Sequence, residues 1–216
     1  MGVSNYLGRF WFSAEPMFGV VMVVCFTSVI RANPTQFHPF LDVILQSALA
    51  CCIAWGLVDG IFYAWEAHYE AKKKNLMIRQ AKQAVSGPVT SDVDGAFDDS
   101  LADYLDEAER KGLVEKVTTK LAAADEVKIP LREDLITIGL ALLLVVGAAI
   151  VVILPFYLID DVLDALLVSN VLGIAMLFFM GVWREQSKKI SKKLLTGSVT
   201  ALIALIITVV TVALGG

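Results

Sequence analysis

Five apolar runs constrain this chain more than any other feature: about Pro16 to Ile30, Phe40 to Trp65, Leu135 to Leu158, Leu163 to Trp183 and Leu194 to Leu214. Each is near the ~20 residues that a helix needs to cross hydrocarbon. In lipid every backbone polar group must be satisfied within the chain, and continuous runs of this length do that as helices. With 57% hydrophobic residues and a mean hydropathy of +0.70, the 216 residues are too apolar for a soluble domain. The expected fold class is an all-α membrane protein: five transmembrane helices with a small cytoplasmic helical insert between the second and third.

Punctuation along the chain fits that frame. Met1 to Ser13 is aromatic-rich (Tyr6, Phe10, Trp11, Phe12) and is expected to lie at the membrane interface. It has neither a basic n-region nor a small-residue cleavage site, so the first run is expected to remain as a span. Glu15-Pro16 sets a carboxylate and a helix-starting proline at the mouth of that span. Asn33-Pro34 and His38-Pro39 mark a turn, and Pro155 interrupts the third run shortly before the acidic turn of Asp160, Asp161 and Asp164. Cys25, Cys51 and Cys52 all stand in apolar runs and read as small buried side chains, not as a disulfide framework.

The second helix is expected to continue out of the membrane through Lys82, because Glu, Ala, Lys, Leu, Met and Gln dominate there. Ser86-Gly87-Pro88 breaks it. Phe97, Leu101, Tyr104, Leu105 and Ala108 then recur at helical spacing, Gly112 is expected to end that segment, and Leu113, Val114, Val117 and Leu121 begin a second amphipathic helix. Pro130 closes the insert. The resulting division is 1–66 (two spans), 67–133 (insert) and 134–216 (three spans).

Of the 18 Lys and Arg, 11 lie in 67–133 and five in 184–193. With five spans both segments fall on one side, together with Arg9, and the positive-inside rule makes that side cytoplasmic. The N-terminus and insert are then cytoplasmic and the C-terminus extracytoplasmic. A net charge of −4 argues against a nucleic-acid partner.

One stretch carries chemistry within this apolar frame. Asp59 stands inside the second run, where an ionised carboxylate costs about 2.5–3.5 kcal/mol, so it needs a partner, a proton or a task. At 100° per residue Asp59, Tyr63, Glu66 and Glu70 fall on one stripe leading from the membrane towards water. Asp59 and Glu66 are the candidate proton relay, and Asp59, Glu66 and Glu70 are also candidate metal ligands. The alternative is a helix end that snorkels its acids to the interface. Gly56 and Gly60 form a small-xxx-small pair that lets another helix approach closely. Glu15, Met17 and Met22 either line a path of hard and soft ligands or, for the methionines, fill gaps. Asp99, Asp103 and Asp106 share a helical face whose oxygens suit Mn²⁺, Fe²⁺ or Ca²⁺, or which is simply solvated. Ser169 and Asn170 are expected to act as interhelical hydrogen-bond glue. No nucleophile–base pair, phosphate loop or His-containing metal motif is present, which argues against an enzyme.

Five spans, a helical insert after the second, and a second helix that extends into it resemble the vacuolar iron transporter family. The patterns that carry the resemblance are Leu154-Pro155-Phe156 ending the third span, Phe179-Met180-Gly181 ending the fourth, and Lys193-Leu194-Leu195-Thr196-Gly197 opening the fifth. The family's intramembrane Asp-Gly pair belongs to the first span, whereas Asp59-Gly60 stands on the second here. The resemblance implies export of divalent ions from the cytosol in exchange for protons by a homodimer. Fe²⁺ or Mn²⁺ would be the substrate, with no organic cofactor. A non-transporting membrane scaffold whose acidic insert docks a partner, or a cation channel, are the alternatives.

Overall fold

The computed structural model describes residues 4–32, 34–84 and 106–213. Among them every regular element is helical: α1 (Ser4–Ala32), α2 (Leu41–Ala84), α3 (Glu107–Ala122), α4 (Leu131–Ile153), α5 (Val162–Arg184) and α6 (Ile190–Ala213), with one-turn helices at Pro34–Phe37 and Pro155–Leu158. Five helices are long and apolar enough to cross a membrane, within Phe10–Ile30, His38–Gln83, Leu131–Leu158, Val162–Arg184 and Ile190–Val210. Their surfaces leave Leu143, Leu167, Val171, Phe179, Leu195 and Leu202 each about half or more exposed, alongside many other large apolar side chains. A continuous apolar surface of that kind suits a bilayer as its solvent.

The first span begins earlier than the Glu15-Pro16 pair predicts. Pro16 lies inside α1, which starts at Ser4 and runs through it. The proline removes one backbone bond, a loss that membrane helices tolerate where side chains and neighbouring helices re-satisfy the backbone. One turn earlier the Ser13 hydroxyl donates to the Phe10 carbonyl at 2.7 Å. Glu15 is therefore not at the mouth of the span but within the helix, fully buried.

The chain divides into two units. The first comprises Met1–Tyr63 and Arg132–Gly216. Its core gathers Val20, Val23 and Ile30 of α1, Leu45 and Cys52 of α2, Val145 and Val152 of α4, and Leu166 and Leu177 of α5. Glycines let α2 pack directly on α4. A Cβ on Gly56 would stand 2.8 Å from the Leu142 Cα, and one on Gly60 2.6 Å from the Ile138 Cα. The small-xxx-small pair thus seats α2 on the backbone of α4, as its spacing predicts. Near the Pro155 break the Ser169 hydroxyl of α5 donates to the Val152 carbonyl of α4 at 2.7 Å, which is the expected interhelical glue. Asp161 caps α5 by accepting from the backbone N–H of Leu163 and Asp164, both at 2.9 Å. At the other end of α5, Glu185 accepts from the Ser187 N–H and the Thr196 hydroxyl, each at 2.8 Å. Those bonds stabilise its ionised form and hold the carboxyl below the usual range.

The second unit is Ala64–Leu131. Gly112 does not end a helix there; α3 runs through it from Glu107 to Ala122. An interior glycine costs only about 1 kcal/mol relative to alanine. A full capping box opposes that cost: the Asp106 carboxylate accepts from the Glu109 N–H at 2.8 Å and the Glu109 carboxylate from the Asp106 N–H at 3.2 Å. The extended segment after α3 is clipped to α2. The Asn75 side chain donates to the Val127 carbonyl at 2.8 Å and accepts from the Val127 N–H at 2.7 Å. Arg79 grips Glu126 through two nitrogens at 2.8 and 3.2 Å, which pulls the Glu126 carboxyl below the ordinary carboxylate range.

Candidate functional site

Two helix faces with the same grammar meet in the first unit. On α1, Trp11, Glu15 and Phe18 recur at i, i+4 and i+7; on α2, Trp55, Asp59 and Tyr63 recur at i, i+4 and i+8. Each face therefore presents an acid bracketed by aromatic rings. The Tyr63 hydroxyl donates to Oε1 of Glu15. The Trp11 and Tyr63 rings pack 5.3 Å apart, and Phe18 meets Trp55 edge-on at 6.1 Å. Asp59 is half-buried, accepts a hydrogen bond from the Trp55 side chain and lies close enough for its charge to act on Glu15.

The unsatisfied atom in this cluster is the informative one. Oε2 of Glu15 is buried and has no hydrogen-bond partner. A buried carboxylate oxygen left bare is costly, and a second carboxylate nearby at bilayer depth adds repulsion. A proton or a cation at the bare oxygen would remove the first penalty and ease the second.

The other residues singled out in the sequence lie elsewhere. Met17 and Met22 pack against the apolar core, and Met22 accepts a 3.7 Å contact from the Cys51 thiol. Met22 is seven residues from Glu15, about 10 Å along the helix, so it is not part of the same cluster. Glu66 and Glu70 are exposed and belong to the second unit, where Glu70 pairs with Lys74 at 3.9 Å. Asp106 is used as the α3 cap, while Asp99 and Asp103 lie outside the described residues. Among the described residues no group of three or more His, Cys, Asp or Glu comes together to hold a metal ion. Asn170, expected as glue beside Ser169, has a buried Oδ1 with no hydrogen-bond partner and lines an apolar cavity of about 430 Å³.

Sequence reasoning missed the Glu15–Tyr63 bond and so kept Glu15 and Asp59 in separate hypotheses. The signal was available in the matched acid-and-aromatic spacing of the two runs. No family model matches the sequence, and no curated protein matches it significantly.

Proposed function

We propose that this chain is a proton-coupled transporter that exports divalent metal ions, of the Fe²⁺ and Mn²⁺ class, from the cytosol. The observation that carries the reading is Glu15 of α1, buried with one carboxylate oxygen unpartnered and the other bonded to Tyr63 of α2, one helical turn from Asp59. An ionisable group at that depth marks an ion path or a proton relay by default. Oxygen donors suit Fe²⁺ and Mn²⁺, and a carboxylate pair that holds either a proton or a cation couples the two. Tyr63 orients Glu15, and the surrounding rings of Trp11, Phe18 and Trp55 limit water, which strengthens the competition between proton and metal. One chain supplies two carboxylates. The ion's remaining ligands would be water, or groups of a second copy in the homodimer that the resemblance to vacuolar iron transporters implies.

The orientation belongs to the same proposal. Sixteen of 18 Lys and Arg lie in 67–133 and 184–193, which places those segments and the N-terminus in the cytoplasm.

Purified protein in liposomes tests the reading. Flux of Fe²⁺, Mn²⁺, Zn²⁺ and Ca²⁺ is followed under an imposed pH gradient for wild type, Asp59→Asn, Glu15→Gln and Glu66→Gln. We expect Fe²⁺ or Mn²⁺ movement that follows the gradient, falls to the protein-free background in the first two variants, and is reduced less in the third. Flux that ignores the gradient would identify a channel. Absence of any flux would leave the scaffold reading.

A further inference from the structure

We propose that the second unit carries a binding site for the phosphate headgroup of an anionic phospholipid, in the angle between α2 and the segment clipped to it. The site is a pocket of about 720 Å³ whose lining includes Lys72, Lys73 and Leu76 of α2 with Val127, Lys128 and Ile129 of the segment. It does not depend on the transport reading.

Three observations define the occupant. The first is charge. Arg79 also lines the pocket, but its charge is met by Glu126, and that of neighbouring Lys74 by Glu70. The positive charge offered to a ligand is therefore that of Lys72, Lys73 and Lys128. Glu126 also feels the charge of Lys128, but its carboxylate is already held in two bonds to Arg79. The second is chemistry. Leu76 and Val127 are 57% and 42% exposed within the same pocket. A free inorganic anion gains nothing from such carbons, whereas a lipid covers them with its glycerol and acyl groups while its phosphate meets the lysines. The third is position. The apolar run of α2 gives out after Trp65, which with Tyr69 presents exposed aromatic side chains of the kind that sit at headgroup level. Lys72 follows Trp65 by seven residues, about 10 Å along the helix. That is the depth of the phosphates, and lysine stems reach back along the helix towards them.

The site is also built rather than incidental. Two Asn75–Val127 hydrogen bonds hold the extended segment in register, so that Lys128 faces the α2 lysines from a second wall. A basic cluster beside a membrane helix attracts anionic lipid, and each lysine near the surface contributes measurably.

The test uses the full chain in detergent, exchanged into equimolar phosphatidylglycerol and phosphatidylcholine, with retained lipid counted by native mass spectrometry. We expect phosphatidylglycerol to be retained about tenfold or more over phosphatidylcholine. The combined Lys72→Gln, Lys73→Gln and Lys128→Gln variant should bring that ratio close to one, and Lys74→Gln should leave it unchanged. These lysines are solvent-facing, so the variants test binding and not folding. A phosphatidylglycerol preference in the triple variant as strong as in wild type, or a wild-type ratio near one, overturns the proposal. Displacement of the lipid by millimolar inorganic phosphate would also overturn it, by showing a site for a free anion. The acidic stretch of residues 92–103 is the remaining rival occupant. Changing Asp92, Asp94, Asp98, Asp99 and Asp103 to Asn should not alter retention; a tenfold rise would show that this stretch fills the pocket instead.

Discussion

At the scale of single residues the Glu15–Tyr63 bond decides how the membrane unit treats charge. The Tyr63 hydroxyl donates to a carboxylate whose other oxygen already lacks a partner. Removing the phenol hydroxyl should leave both oxygens bare. Tyr63→Phe is expected to destabilise the protein by about 1–2 kcal/mol, the upper part of the range for hydrogen bonds between membrane helices. Glu15→Gln in the same background should recover part of that loss, because the neutral amide relieves the repulsion with Asp59 and brings its own donors. Unfolding of the four proteins in a double-mutant cycle measures the coupling. Additive effects would separate the two residues and remove Tyr63 from the site. Glu15 was hard to read from the sequence for a local reason. Glu-Pro is a common way to start a helix, and only the upstream aromatics, which pack as Trp11 on Tyr63 and Phe12 on Trp183 at 5.8 Å, show that the helix has already begun.

At the scale of elements, run length alone made the five spans legible, since nothing else satisfies so much backbone in lipid. Gly56 and Gly60 were legible as a contact surface, but not as a seat for α4 in particular, because spacing says that a helix can approach and not which one does. Tertiary contact supplies that choice. Gly112 failed in the opposite way: a glycine weakens a helix without stopping it when the cap at Asp106 and the following apolar face agree. The seat itself is testable. A leucine at Gly60 would drive side-chain carbons into the Ile138 backbone, so Gly60→Leu should cost about 1–3 kcal/mol or more and lower the melting temperature. Gly139→Ala, one residue beyond Ile138 on α4, is the matched control. Nothing lies within 4 Å of its added Cβ, and the change should be neutral or stabilising by up to about 1 kcal/mol. Equal melting temperatures for wild type and Gly60→Leu would show that the α2–α4 contact bears no load.

At the scale of the whole molecule the membrane unit has two chemically different ends. At one, the Arg184 guanidinium lies 4.0 Å from the centre of the Phe10 ring, which brings the start of α1 beside the end of α5 and its basic turn. At the other, His38 and Pro39 share a pocket with Asp160 and Asp161. The chain leaves this unit at Tyr63, whose partner Glu15 is near the start of α1, so the exit belongs to the Phe10 and Arg184 end. That end gathers Arg184, Lys188, Lys189, Lys192 and Lys193, while the opposite turns carry Arg31 and the aspartates. Packing and charge thus gather the basic residues at one end of this unit, the end that the proposed orientation puts in the cytoplasm. Single cysteines at Lys73, Lys189 and Asp160, placed in a chain whose Cys25, Cys51 and Cys52 are alanine, test it in sealed vesicles of known orientation. An impermeant thiol reagent should reach positions 73 and 189 from the cytoplasmic face only, and position 160 from the opposite face only. If 73 and 189 react from different faces, one of the apolar helices between them does not cross, and the proposed path through Glu15 and Asp59 loses its second side.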